Sequence, residues 1–389
     1  MTTWLAKRGS GRSGLPGDTM IHAKAWTPAH TPTLERIRHQ RLFDFVALCA
    51  LMAALTREVI AEGGMIMKEE RAVMEKLLTE PDYVVEGFVE YRHRGQTYKL
   101  WYGRIGSGSA LPALVLHGGP GGNHHNLVAF QGSADERPVI FYDPLGCGKS
   151  DRPDDASLWR ADRYFAEVRA VRDGLGLREH HLIGHSWGTT VAVGFAAEYS
   201  EGILSISLRS PVPSFPYFIN KVAPALKQDL RGLNGKAGQV IDDFELRGQG
   251  SKSDYDEACM EFTKKHVTHS WPLPEAMKKS IAARNAAVHD VMVTSGSELN
   301  LPGNLRAVNV TSRLSKLDIP ALMTWGSDEL CTPAYTKWQS GFARHARYQV
   351  IPGSAHMTPV DNPLEQVMVQ RAFLREVESA AKIRVRGKR

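Results

Sequence analysis

The sequence predicts an α/β fold: a mostly parallel central sheet with helices on both faces and an inserted helical cap. Three observations carry this. Short apolar runs alternate with amphipathic stretches between residues 114 and 208, as when strands buried on both faces are joined by crossover helices. From Pro211 to about Ser312 the alternation stops; the chain turns polar and helical in period, punctuated by Pro and Gly, until apolar runs resume at Ala321. One run, His181-Leu182-Ile183, leads into Gly184-His185-Ser186-Trp187-Gly188 and then a helix-like stretch, the setting of a nucleophile elbow.

A chain of 389 residues exceeds one minimal core, so one large domain with an insertion is expected. Hydrophobic content of 42% with 23% charged residues is that of a globular protein. The net charge of +6 owes much to the tail Lys382–Arg389, which carries five basic residues and no acid and reads as a solvated end. With no basic–aromatic interleaving elsewhere, no nucleic-acid partner is expected. Cys49, Cys147, Cys259 and Cys331 are widely spaced, with no CxxC pair, and read as free thiols of a reducing compartment, hence a cytoplasmic expectation.

In order, residues 1–33 are rich in Gly, Ser, Thr and Pro and read as disordered. The apolar run Leu42–Leu55 follows Arg36, Arg38 and Arg41; at 14 residues, with Asp44 inside, it is short for a membrane span. Three readings stay open: an accessory helix, an export or anchor signal, or translated sequence upstream of a start at Met65 or Met67. No stable membrane association is expected. Residues 66–80 are helix-like and stop before Pro81. Val84–Tyr91 and Thr97–Tyr102 flank Arg92–Gln96 as a hairpin. Leu114–Leu116 and Val139–Tyr142 are buried strands, Arg163–Asp173 an amphipathic helix, His181–Gly184 the strand into the elbow, Trp187–Tyr199 the helix out of it and Leu204–Leu208 the next strand. After the cap come strands Ala321–Trp325 and Tyr348–Ile351 and a closing helix from Leu364 to about Ala381. The chain therefore divides into an extension (1–80), a first core part (81–210), the cap (211–312), a second core part (313–381) and the tail (382–389).

A serine hydroxyl needs a base and a group that orients the base. Asp328 follows the strand ending at Trp325, and His356 follows the strand ending at Ile351. Alone, Asp328 is a turn residue and His356 a surface-loop histidine. Together with Ser186 they stand at three strand ends in the order Ser…Asp…His found in α/β-hydrolases, and the 28 residues between acid and histidine suffice for a helix and a strand. His180 and His181 stand at or before the start of the strand, His185 faces away from the hydroxyl, and His345 lies on the wrong sheet edge. The oxyanion needs two backbone donors. One is assigned to Trp187. The other is assigned to Gly118 or Gly119 in His117-Gly118-Gly119-Pro120-Gly121, since Pro120 has no N–H. That loop lacks the Gly-Lys-Ser/Thr of a phosphate cradle.

His117–Gly121 together with Gly184–Gly188 resembles the proline iminopeptidase family of α/β-hydrolase serine peptidases, which includes L-amino acid amidases and the tricorn-interacting aminopeptidase. Asp143-Pro144-Leu145-Gly146-Cys147-Gly148-Lys149-Ser150 resembles the family's Asp-Gln-x-Gly-x-Gly-x-Ser turn, with Pro144 in place of Gln. In the cap, Phe262–His266, Trp271–Glu275 and Ser295–Leu299 are similar to family segments, the last keeping the glutamate of Gly-Pro-x-Glu-Phe but not its neighbours. The similarity runs from about Tyr83 to about Glu378. It implies an α/β-hydrolase fold, an acyl-enzyme on Ser186, a small peptide or amino acid amide as substrate, and no metal or organic cofactor. It also implies Glu298 as the anchor for the substrate's free amine, against a plain reading as a solvated loop acid, with Glu257, Glu261 and Glu275 as rival cap carboxylates. A carboxylesterase on the same triad and a non-catalytic binding protein are the alternatives. Oligomeric state is not readable.

Overall fold

The computed structural model describes residues 69–329, 333–343 and 346–386. The apolar run at 42–55, Cys49, Cys331 and His345 lie outside these residues. A helix α1 over residues 69–77 precedes the sheet, within the stretch expected from 66 to 80. Strands β1 (Val85–His93) and β2 (Gln96–Ile105) form the hairpin, turning at Arg94-Gly95, both at positive φ (49° and 79°). Two successive positive φ values make the tight turn whose twist matches its strands.

The remaining strands are β3 (Ala113–Leu116), β4 (Val139–Tyr142), β5 (His180–His185), β6 (Ile203–Arg209), β7 (Ala321–Gly326) and β8 (Arg347–Ile351). Their order is β1-β2-β4-β3-β5-β6-β7-β8. β1–β2 and β2–β4 are antiparallel and every other pairing is parallel. β5 begins at His180, one residue before the expected start, so His180 and His181 both lie within it, and both are buried. His181 is accommodated there by Ser205 Oγ at 2.7 Å and Glu378 Oε1 at 3.1 Å.

Side chains leave a strand to alternate faces. Leu114, Leu116, Ile140, Tyr142 and Leu182 therefore pack on one face, in the cluster that holds Phe165 and Val168 of α2 (Ala161–Gly174) and Val191 and Phe195 of α3 (Trp187–Glu198). Val115, Phe141 and Ile183 pack on the other, with Trp101, Ile105 and Phe130. Every residue of α3 from Trp187 to Ala196 is buried, which is why this helix has no polar stripe.

Between β6 and β7 lie helices α4 (Ala223–Asp229), α5 (Ala237–Arg247), α6 (Lys252–Phe262), α7 (Glu275–Ala282) and α8 (Ala286–Met292), with shorter turns. Their starts and stops are locally encoded: Ser251 and Asn285 accept first-turn N–H groups of α6 and α8, and Gly248 ends α5 in the left-handed region. Phe215, Phe218, Val288, Met292 and Leu305 join this segment to the main core cluster. After β7 come α9 (Pro333–Ser340), β8 and the long α10 (Pro363–Arg386).

Candidate active site

Ser186 sits between β5 and α3 at φ 52°, ψ −122°. For a non-glycine residue such a conformation costs about 1–3 kcal/mol and persists only where the surroundings impose it. They do so here by close packing. A Cβ on Gly188 would lie 2.2 Å from the Leu116 carbonyl oxygen, and one on Gly184 would lie 2.6 Å from the Gly188 oxygen. The Ser186 N–H donates to the Arg209 carbonyl oxygen (2.9 Å), which ties the elbow to β6. Trp187 opens α3, so its N–H has no intrahelical acceptor. Gly118 lies against Ser186, its Cβ position 2.9 Å from Ser186 Cβ, and Gly119 has φ 63° with open space around its Cβ position.

His356 is buried in the loop after β8, and its Nδ1–H donates to Glu329 Oε1 at 2.5 Å. The partner carboxylate is therefore Glu329, and the assignment to Asp328 is corrected. β7 ends at Gly326; Ser327 and Asp328 form an exposed turn, and the chain folds back to bury Glu329. Asp328 keeps the role of a turn residue: its N–H donates to the Ser354 oxygen (3.0 Å), and its carboxylate faces the Ser327 hydroxyl (3.1 Å). Gly326 lets the two loops meet, since a Cβ there would lie 2.2 Å from the Ala355 oxygen.

Further groups fix this pair. Ser210 Oγ lies 2.6 Å from Glu329 Oε2 and 2.9 Å from the His356 carbonyl oxygen. His185 Nε2–H donates to that same oxygen at 3.0 Å, so His185 supports the histidine loop. Burial, with the nearby His356, pushes His185 down to about 3 and keeps it neutral. Burial opposes charge on His356 too, but the Glu329 carboxylate and hydrogen bond, with Glu298 and Asp361 further off, raise it above its ordinary 6.5 overall. Asp361 joins the histidine loop to the cap: Oδ2 accepts the Ala355 N–H (2.9 Å) and Oδ1 accepts the Thr268 hydroxyl (2.6 Å).

Ser186 and His356 open into a cavity of about 330 Å³ whose apolar wall includes Phe215, Phe218, Phe262, Met277, Leu301 and Leu305. Glu298 lines it; the rivals Glu257, Glu261 and Glu275 do not, and Glu261 instead accepts the Arg231 and Gly232 N–H groups. Glu298 stands at φ 61°. Its side chain keeps 54% of its surface accessible, with Arg284 at 3.7 Å and His289 Nε2 at 3.6 Å. Desolvation works to raise its pKa, but His289 and Arg284 outweigh it and bring it down to about 2. The Glu298 turn is held by Glu245, which accepts the Ser297 N–H (2.8 Å), the Ser297 hydroxyl (3.0 Å), Asn300 Nδ2 (3.0 Å) and the Tyr255 hydroxyl (2.7 Å). Glu329, Ser210, Glu245 and Arg284 were not singled out by the sequence. For Glu329 the available signal was its adjacency to Asp328, two acids in a row after a strand.

Fold and site together define an α/β-hydrolase, and the sequence model of the alpha/beta hydrolase fold family matches residues 112–363. The chain is 35% identical over 272 residues to a proline iminopeptidase of Heyndrickxia coagulans, covering 70% of this chain and 93% of that enzyme. It is 33% identical over 285 residues to one of Lactobacillus helveticus, covering 71% and 94%. The crystal structure of the Mycobacterium smegmatis proline iminopeptidase superposes with a TM-score of 0.69 at 27% identity, covering 76% of this chain and all of that one. The chain belongs to the proline iminopeptidase family. At 20% identity and a TM-score of 0.52, an esterase from Thermogutta terrifontis shares the fold.

Proposed function

We propose that this chain is a serine aminopeptidase that releases an N-terminal residue, of proline type, from a small peptide, or hydrolyses the corresponding amino acid amide. The observation that carries the reading is the juxtaposition, around one cavity, of Ser186, the Glu329-paired His356 and the Glu298 carboxylate. Ser186 Oγ adds to the scissile carbonyl carbon while His356 Nε2 takes its proton. Glu329 holds the Nδ1–H tautomer and balances the imidazolium. The N–H groups of Trp187 and of Gly118 or Gly119 receive the oxyanion. The C–N bond then breaks, His356 returns the proton to the leaving amine, and water repeats the sequence to free the acid and regenerate Ser186.

Glu298 supplies a reason for acting on free termini. A carboxylate facing a mostly apolar cavity attracts the substrate ammonium, and an acylated terminus loses that attraction. Arg284 supports the second reading, a carboxylesterase, because it already offers Glu298 a partner cation at 3.7 Å. A kinetic screen on amides and anilides of proline, alanine, leucine and phenylalanine, with N-acetylated and simple acyl ester controls, separates the readings. Preference for free amines supports the aminopeptidase; equal or better turnover of acyl esters replaces it with the esterase.

A further inference from the structure

Outside the cavity, three side chains with metal-ligating atoms converge: Glu80, His124 and His125, whose donor atoms lie within 4.8 Å of one another. Glu80 lies in the segment between α1 and β1, and the two histidines follow the glycine loop Gly118–Gly122. None of the three lines the cavity. His124 Nδ1–H donates to the fully buried Asp143, 2.9 Å from Oδ1 and 3.0 Å from Oδ2. Asp143 is itself fixed by the N–H groups of His124 and Lys149, each at 2.9 Å. The imidazole is thus oriented, with Nε2 directed at Glu80 Oε1.

That Nε2–Oε1 separation is 3.4 Å, wide for a hydrogen bond to a carboxylate. It matches the spacing of two ligands on one ion: zinc bonds of about 2.0–2.1 Å at a tetrahedral angle place their donors about 3.4 Å apart. His125 Nδ1 lies 2.7 Å from Glu80 Oε2 and would open by less than about 1 Å to share the same ion. A carboxylate behind a histidine that faces a second donor set is the usual outer support of a metal-bound imidazole. Two imidazoles and one carboxylate form a donor set for borderline transition metals, not for Mg²⁺ or Ca²⁺.

We propose that Glu80, His124 Nε2 and His125 Nδ1 form a binding site for a divalent transition metal of the zinc class. Water would complete the coordination, and the ion would clip the segment after α1 onto the base of the glycine loop. The ion takes no part in acyl transfer. Two groups bear on the same carboxylate. The Tyr83 hydroxyl donates to Glu80 Oε1 (3.1 Å), and Lys279 Nζ stands 3.9 Å from Oε2 with 45% of its side chain exposed. Lys279 competes for Glu80 from the mouth of the site, so the ion displaces it.

The test is calorimetric titration of the untagged full chain with Zn²⁺, together with visible absorption on adding Co²⁺ and melting temperature with and without Zn²⁺. One equivalent of Zn²⁺ should bind with micromolar or tighter affinity, Co²⁺ should show the d–d bands of a four- or five-coordinate site, and the melting temperature should rise. His125→Ala and Glu80→Gln should each weaken binding roughly 100-fold or more, and Lys279→Gln should tighten it. Affinity weaker than millimolar overturns the proposal. So does binding that is equal in wild type and all three variants, because the ion would then be held elsewhere. If either ligand variant fails to fold, an affinity unchanged by Lys279→Gln rejects the site by itself.

Discussion

The charge on one imidazole ties together most of what single residues do here. His356 must be neutral to accept the serine proton, and its surroundings raise its pKa above 6.5. The acidic limb of kcat/KM, which reports the free enzyme, should therefore fall above pH 6.5, with activity lost as pH drops through it. Glu298→Gln removes one of the negative charges that favour the imidazolium, so the limb should move to lower pH; a pH–rate profile of the two proteins measures this. Ser186→Ala should cut turnover roughly 10³–10⁶-fold with the fold intact by circular dichroism. Glu329→Gln should cost about 10⁴-fold in kcat, because an amide does not hold the Nδ1–H tautomer, whereas Asp328→Asn should stay within a few-fold of wild type. The reverse pattern for the two acids would contradict the observed pairing. Ser186 and His356 were legible in the sequence because the elbow glycines and the strand ends fix them locally. The acid was not, because Asp328 and Glu329 are neighbours and the choice depends on how the turn after Gly326 bends, which no local pattern specifies.

At the scale of elements, the loop 295–300 of the cap is held by a carboxylate that the sequence did not single out. Glu245 on α5 accepts four hydrogen bonds, three of them from Ser297 and Asn300 on either side of Glu298. Glu245→Ala should release this turn. KM for free-amine substrates should rise while N-acetylated substrates are unaffected, and the cap helices should remain by circular dichroism. Glu298→Gln should raise KM for free amines by about 10- to 100-fold, less than for a fully buried pair because the side chain is half accessible. It should also narrow the gap between alanine anilide and N-acetyl-alanine anilide; an unchanged gap would remove Glu298 as the anchor. The helical character of the cap could be read from its period and its Pro and Gly punctuation. The role of Glu245 could not, because it depends on α5 meeting a loop some 50 residues later in the chain.

For the whole molecule, the alternation of strand and helix made the sheet legible, and the break in that alternation located the inserted helices. The strand order is less so: β4 between β2 and β3 follows from the antiparallel join to the hairpin, a non-local pairing. Residues Lys68–Arg389 form one compact unit. Deleting residues 1–64 should leave a soluble protein with wild-type kcat/KM. Deleting as far as Asp82 should lower the melting temperature, because Gln131 Nε2 would lose the Leu77 and Thr79 carbonyl oxygens (3.0 and 2.8 Å) and the core would lose Leu77. Thermal melts of the two truncations distinguish these outcomes.

Ser186, Glu329 and His356 follow the ends of β5, β7 and β8, and the inserted helices separate the first from the other two. Residue 186 thus waits for residues 329 and 356, and for the docking of two more strands, before its hydroxyl has a base. A partly synthesised chain that carries the elbow and even the whole cap still lacks both His356 and the carboxylate that holds it. The same separation makes regained hydrolysis a stringent clock for refolding. Helical signal should recover first, and activity should return only when the far edge of the sheet has closed.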